Sequence, residues 1–218
     1  MPDKPRRDSL YPTRSAAGAL LGQQLAARGY VACVLLGITP EGVEIAANAA
    51  KAMGGQFDVL VASFIKLGSN LAPVGALAEA APAEFDPDFQ PGGNLLDTLE
   101  AAIDESRARV KQDLVLYRTH RPIKKLEGRT AVIVDGQVVF PWRVLAAAKV
   151  AMQLGAKRVV IATPVATQSA AERIRARDYD LVCPSVVMDQ EGHPSPFADA
   201  TGDTPERLKS IMIAHQAA

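Results

Sequence analysis

Residues 130–164 read TAVIVDGQVVFPWRVLAAAKVAMQLGAKRVVIATP. Thr130–Asp135 is a short apolar run that ends on a carboxylate, the pattern of a strand covered on both faces. Trp142–Leu154 carries helical periodicity and stops at Gly155. Arg158–Pro164 is a second apolar run. Strand, helix and strand at this spacing predict a parallel sheet.

The alternation extends both ways. Downstream, Gln168–Ala176 reads as a helix and Asp180–Cys183 as a strand. The turn-rich tail holds one late helix, Thr204–His215, capped by Asp203 or Thr204. Upstream, 1–14 is polar and Pro-rich and reads as a flexible N-terminal arm. Ser15–Arg28 follows as an amphipathic helix capped by Thr13 or Ser15. Val31–Leu36 and Phe57–Ile65 read as buried strands around an Ala-rich helix, Glu41–Met53, which Gly54 and Gly55 end. Val74–Ala80 offers a further strand, and 81–94, with Pro82, Pro87 and Pro91, is irregular. Leu95–Tyr117 is a long exposed helix with acids early and bases late, a solvated pattern that suits the helix dipole. The expectation is an α/β domain over 15–218, with a parallel sheet of about five strands flanked by helices. A helical insertion spans 95–119, and a small hood spans 185–218.

The 218 residues are 48% apolar, enough for a sizeable core. Lys+Arg and Asp+Glu are 24 each, and zero net charge argues against a general nucleic-acid or polybasic membrane binder. Cys33 and Cys183 cannot form a disulfide scaffold or a zinc cluster. His120, His193 and His215 lack metal-ligand spacing, so no metal centre is read from them. The stretch 16–37 is broken by Gln23, Gln24 and Arg28, unlike a membrane span. With no signal-peptide pattern at the N-terminus, the reading is a soluble cytoplasmic protein with reduced thiols.

In an open parallel sheet, ligands bind beyond the carboxyl ends of the strands. That selects the loops 37–42, 66–73 and 135–143. Asp135 stands where a carboxylate meets a ribose hydroxyl or Mg²⁺, or serves as a strand-end cap. A phosphate cradle needs Gly, Ser or Thr, so that N–H groups approach the oxygens. The stretch after Asp135 is instead bulky, with Arg143 its one anion partner. The sequence contains no P-loop, no G-x-G-x-x-G after a strand and no nucleophile elbow.

Several stretches, taken in order, resemble the type I phosphoribosyltransferases, specifically the bacterial predicted phosphoribosyltransferase group. Gly42-Val43 with Ala46-Ala47 and the run 54–61 resemble that group's first helix and second strand. Lys66-Leu67-Gly68 and Pro73–Glu79 resemble its "KLG…IGAVAE" segment. Tyr117–Pro122 and Leu126–Asp135 resemble the lead-in to its sugar-phosphate loop. Gly155–Val160 with Pro164–Ala166 resembles the strand beyond. The resemblance covers roughly 15–210. It implies phosphoribosyl diphosphate as ligand, Mg²⁺ as cofactor and a homodimer.

The departures are as specific as the matches. Where the family resembles "DDGIATGAT", this chain has Asp135, then Gly136 and Gln137, and Phe140-Pro141-Trp142-Arg143 in place of the cradle. Pro141 also removes a donor. Where the family resembles "PRGG", this chain has Thr39-Pro40-Glu41-Gly42 after Gly37, and Glu41 would repel a polyanion unless Mg²⁺ intervened. By resemblance, Asp135 holds ribose while Lys66 and Arg143 neutralise phosphate. Phe140 and Trp142 fill the emptied pocket, face a partner or offer a platform to a base. Three readings stay open: a family member with a weakened or inactive site that binds a phosphoribosyl or nucleotide ligand, a non-catalytic regulatory or interaction protein, and an active Mg²⁺-dependent enzyme on an unidentified base. The basic residues Arg118, Arg121, Lys124, Lys125 and Arg129, set against the acids from Glu79 to Glu105, suggest a self-association surface or a merely solvated one.

Overall fold

The computed structural model describes residues 9–118, 122–190, 194–199 and 204–216. In chain order its elements are α1 (Arg14–Ala27), β1 (Val34–Gly37), α2 (Pro40–Met53), β2 (Gln56–Val59), β3 (Ala62–Ile65), β4 (Gly75–Ala78), β5 (Glu84–Phe85), α3 (Leu96–Arg118), β6 (Thr130–Val134), α4 (Trp142–Gln153), β7 (Arg158–Ala162), β8 (Val165–Thr167), α5 (Gln168–Arg175), β9 (Asp180–Val182), β10 (Ser185–Val187) and α6 (Pro205–Gln216). Segment 1–8 of the expected arm, with Arg121, His120, His193 and Asp203, falls outside the described residues. So does the side chain of His215.

The main sheet has five parallel strands in the order β2-β1-β6-β7-β9. Its side chains alternate between two cores, as a pleat demands. Ala131 and Ile133 of β6, with Val159 and Ile161 of β7, pack toward α4 and α5. Val132, Val134, Val160 and Ala162 pack on the opposite face with α1 and α2. Both faces are covered, which is why these strands read as unbroken apolar runs.

The caps follow local chemistry. Thr13 caps α1 by accepting the Ala16 N–H at 3.0 Å. Thr39 caps α2 by accepting the Gly42 N–H at 3.0 Å, with Pro40 in the first helical position and Gly54 in the left-handed conformation beyond the end. α1 and α2 meet backbone to backbone. A Cβ at Gly18 would stand 2.6 Å from Ile45 O, and one at Gly22 2.4 Å from Ala49 O, so only glycine allows this approach.

The expected strand Phe57–Ile65 is two strands. β2 belongs to the main sheet, while β3 pairs antiparallel with β4, and β4 with β5. Leu60 and Val61 are both buried, so the apolar pattern runs through the break without a mark. β8 and β10 form a separate parallel pair within what read as a strand end and a turn-rich tail. Tyr11, in the expected arm, is buried, bridges to Phe197 and donates from its hydroxyl to Pro164 O at 3.0 Å.

The antiparallel hairpin lies between α3 and α4. Charged side chains fasten it. Glu84 of β5, 3% exposed, pairs with Lys149 of α4 and with Arg177 at 2.8 Å. Arg173 of α5 pairs with Asp86 and Asp88 at 3.2 and 2.8 Å. Arg118 pairs with Glu79, so the basic and acidic blocks noted in the sequence meet within one chain at this point. Glu79 also accepts the Val61 N–H at 3.0 Å. Among the described residues, no helix is long and apolar enough to cross a membrane.

Candidate functional site

β1 and β6 are neighbours, yet the chain leaves β1 toward β2 and leaves β6 toward β7 and β9. Their carboxyl ends therefore flank the topological switch point, where the loops of an open sheet splay apart. Thr39 follows β1 and Asp135 follows β6. The Thr39 hydroxyl donates to Asp135 Oδ1 at 2.8 Å and ties the two loops across the switch.

Asp135 is 3% exposed and surrounded by donors. Oδ1 also accepts the Gly136 N–H at 2.7 Å, and Oδ2 accepts from Arg143 at 3.2 Å. Arg143, in the first turn of α4, lays its guanidinium 4.0 Å from the centroid of the Phe64 ring. Phe140 is at the exposed edge of this stack, perpendicular to Phe64 at 6.3 Å. Trp142 turns away into the core at 2% exposure, beneath Arg173. Burial comes at a cost there, because the indole N–H has no hydrogen-bond partner among the described residues.

Glu41 occupies the space beside Gly136. A Cβ on Gly136 would stand 2.6 Å from Glu41 Cβ and 2.7 Å from its Oε2. Glu41 also accepts from Arg14 at 3.0 Å. Gly37 lies under the first turn of α2, and Gly42 rests on the backbone of Val134 and Asp135. Gln137 is half-buried on the same loop.

A cavity of about 810 Å³ opens beside the switch point. Thr39 after β1, Phe64 and Lys66 of the hairpin and Arg143 of α4 line one side, and Glu105, Ser106, Arg109, Asp113 and Tyr117 of α3 the other. Of the residues singled out in the sequence, Thr39, Lys66 and Arg143 therefore share one wall, with Asp135 directly behind. Glu41, Gly136, Phe140 and Trp142 are not among its lining residues. The α3 residues went unread as site residues. Their signal was a four-residue beat (Glu105, Arg109, Asp113, Tyr117) that puts them on one helix face. Ser106 fixes that face by donating to Ser63 O at 3.3 Å. Burial raises the carboxyl pKa of Asp113, and Arg109 one turn away partly offsets the rise.

No three His, Cys, Asp or Glu side chains among the described residues form a metal-binding group. Both oxygens of Asp135 are engaged, and Glu41 is held by Arg14. This donor set does not fit a resident Mg²⁺, which demands near-octahedral oxygen ligands.

No family model matches the chain. Two Mycobacterium tuberculosis proteins, named "Putative phosphoribosyl transferase Rv0571c" and "Putative phosphoribosyl transferase MT0597", are each 31% identical over 178 residues, 80% of this chain and 40% of theirs. The chain thus spans 40% of the length of the curated relatives it matches. The crystal structure of TT1426 from Thermus thermophilus is 31% identical, covers 94% of this chain and 98% of its own, and superposes with a TM-score of 0.76. The chain belongs to the phosphoribosyltransferase family. AQ2163 from Aquifex aeolicus, 11% identical with a TM-score of 0.53 over 89% of this chain and 84% of its own, shares the fold. As a phosphoribosyltransferase-family protein, the chain places its two departing loops side by side at the switch point, and the contacts above close one against the other.

Proposed function

We propose that this phosphoribosyltransferase-family protein has a weakened or inactive phosphoribosyl diphosphate site and binds a phosphoribosyl or nucleotide ligand without efficient transfer. The state of Asp135 carries the reading. A ribose diol would need two of its acceptor sites, and three donors within the protein already take three of about four. The backbone that would cradle a phosphate is turned to other work. The Gly136 N–H points at Asp135, Pro141 has none, and Glu41 adds negative charge beside Gly136. Loss of one preorganised donor costs about 10²–10³ in rate, and several are missing here. The cavity, with Lys66, Arg109 and Arg143 among its lining residues, supports binding of an anion.

The same cations favour a second reading, an active Mg²⁺-dependent enzyme in which Arg143 exchanges Asp135 for a substrate phosphate. Thermal unfolding with millimolar ribose 5-phosphate, and with phosphoribosyl diphosphate plus Mg²⁺, tests both. A ligand at 100 times its Kd stabilises by about 2.7 kcal/mol. The expected result is stabilisation without pyrophosphate release across a panel of bases. Turnover that is lost in Asp135→Ala replaces the first reading with the second. No stabilisation by any of these ligands overturns both and leaves a non-catalytic interaction protein. A homodimer belongs to the proposal, and a monomer mass by light scattering removes it.

A further inference from the structure

The charged side chains around the cavity leave two without close partners. Arg143 is matched by Asp135, and Arg109 stands 4.0 Å from Glu105. Among the described residues Lys66 makes no ion pair and Asp113 accepts no hydrogen bond. They belong to different walls, Lys66 just past the end of β3 and Asp113 on α3. Asp113 is half-buried, whereas Asp104 and Glu105 on the same helix are exposed. A partly buried carboxylate that no protein donor meets, with only the charge of Arg109 nearby, keeps its acceptor capacity open. Placed in a cavity wall, its unmet acceptor capacity is available to whatever enters.

We propose that Asp113 selects the ligand, accepting a hydrogen bond from an amine or ring N–H at one end of a molecule whose anionic end lies by Lys66. The assignment rests on the ligand-binding reading above and deepens it. A dipolar ligand of this kind meets both open charges at once, whereas a bare phosphate or sugar phosphate meets only Lys66. The raised carboxyl pKa agrees with this placement, because it marks hydration lost on folding that no protein donor replaces.

Calorimetric titration of the intact chain tests it. The probes are ribose 5-phosphate and the adenosine, guanosine and cytidine 5′-monophosphates, which add an amine-bearing ring to the same sugar phosphate. At least one nucleotide is expected to bind about tenfold tighter than ribose 5-phosphate, the worth of one hydrogen bond to a charged acceptor. Asp113→Ala is expected to erase that preference while ribose 5-phosphate binding stays unchanged, and Asp113→Asn, which keeps an acceptor, to retain part of it. Lys66→Ala is expected to weaken all four probes together. If the preference survives Asp113→Ala, the assignment of Asp113 fails and the ligand-binding reading stands. If ribose 5-phosphate binds and no nucleotide is preferred, Asp113 fails again. If no probe binds the unaltered chain, the ligand-binding reading itself falls and the assignment with it.

Discussion

Arg143 binds Asp135 across the mouth of the switch point, nitrogen to oxygen at 3.2 Å, while its guanidinium rests on the Phe64 ring. The arginine side chain is 24% exposed and the aspartate 4%. The pair is therefore asymmetric. Asp135 depends on Arg143 for charge compensation more than Arg143 depends on it. Arg143→Met leaves a buried carboxylate with only the Thr39 and Gly136 donors. The expected loss is about 2 kcal/mol, below the ~3–5 kcal/mol of a fully buried pair because one partner reaches water. Adding Asp135→Asn is expected to recover part of it. Urea unfolding of the two single variants and the double variant gives the coupling energy, and strictly additive losses would show that the two residues do not compensate each other.

Gly136→Ala is the second test of the closed loop. The new methyl would meet Glu41 at its Cβ, so a rotamer change in Glu41 cannot relieve the clash. A destabilisation of about 1–3 kcal/mol is expected, as for other overpacked sites. Glu41→Gly in the same chain removes the obstructing atoms, so the double variant is expected to lose less than the two single losses summed. An alanine tolerated in the parent would show that the loop between Asp135 and Arg143 is free to open.

The site was half legible. Thr39, Asp135 and Arg143 sit in loops that any parallel sheet directs to its ligand end, so their place followed from the order of strands and helices. The buried strands were legible because both faces are covered. The hairpin was not. β3 continues the apolar run of β2 through Leu60 and Val61, and only the pairing with β4 distinguishes them. The α3 wall was missed for the converse reason. Glu105, Arg109 and Asp113 have the composition of a solvated helix face. They line a cavity because the hairpin and the switch-point loops stand opposite, a relation that exists only in three dimensions.

Glu84 anchors that hairpin. Its side chain is 4% exposed, and its partners Lys149 and Arg177 are 46% and 39% exposed. Lys149→Met with Arg177→Met strands the carboxylate. The expected cost is about 3 kcal/mol, at the low end for a broken buried pair. Adding Glu84→Gln is expected to restore much of it by removing the buried charge. Hydrogen exchange locates the effect, with faster exchange expected in β4 and β5 and unchanged protection in β6 and β7. Uniform loosening of both sheets would show that the pair supports the whole fold rather than the hairpin.

Asp113 ties stability to pH in a direction opposite to most surface carboxylates. Burial raises its pKa in the folded chain, with Arg109 partly opposing the rise. Between the ordinary aspartate range and the raised value, the folded chain holds a proton that the unfolded chain has lost. Stability therefore falls as pH climbs through that interval. The penalty is absent below the unfolded pKa and complete above the folded one. The other charged groups lining the cavity are Lys66, Glu105, Arg109 and Arg143, with Tyr117 beside them. Glu105 and Arg109 are exposed on the same helix face, whereas Asp113 is half-buried. Asp113→Asn removes the titrating charge. It is expected to raise Tm at neutral pH and to match the parent at the acid end, which thermal unfolding of both chains over a pH series measures. Equal stability at neutral pH would show that the carboxylate is hydrated in the folded chain and has no unmet need for a donor.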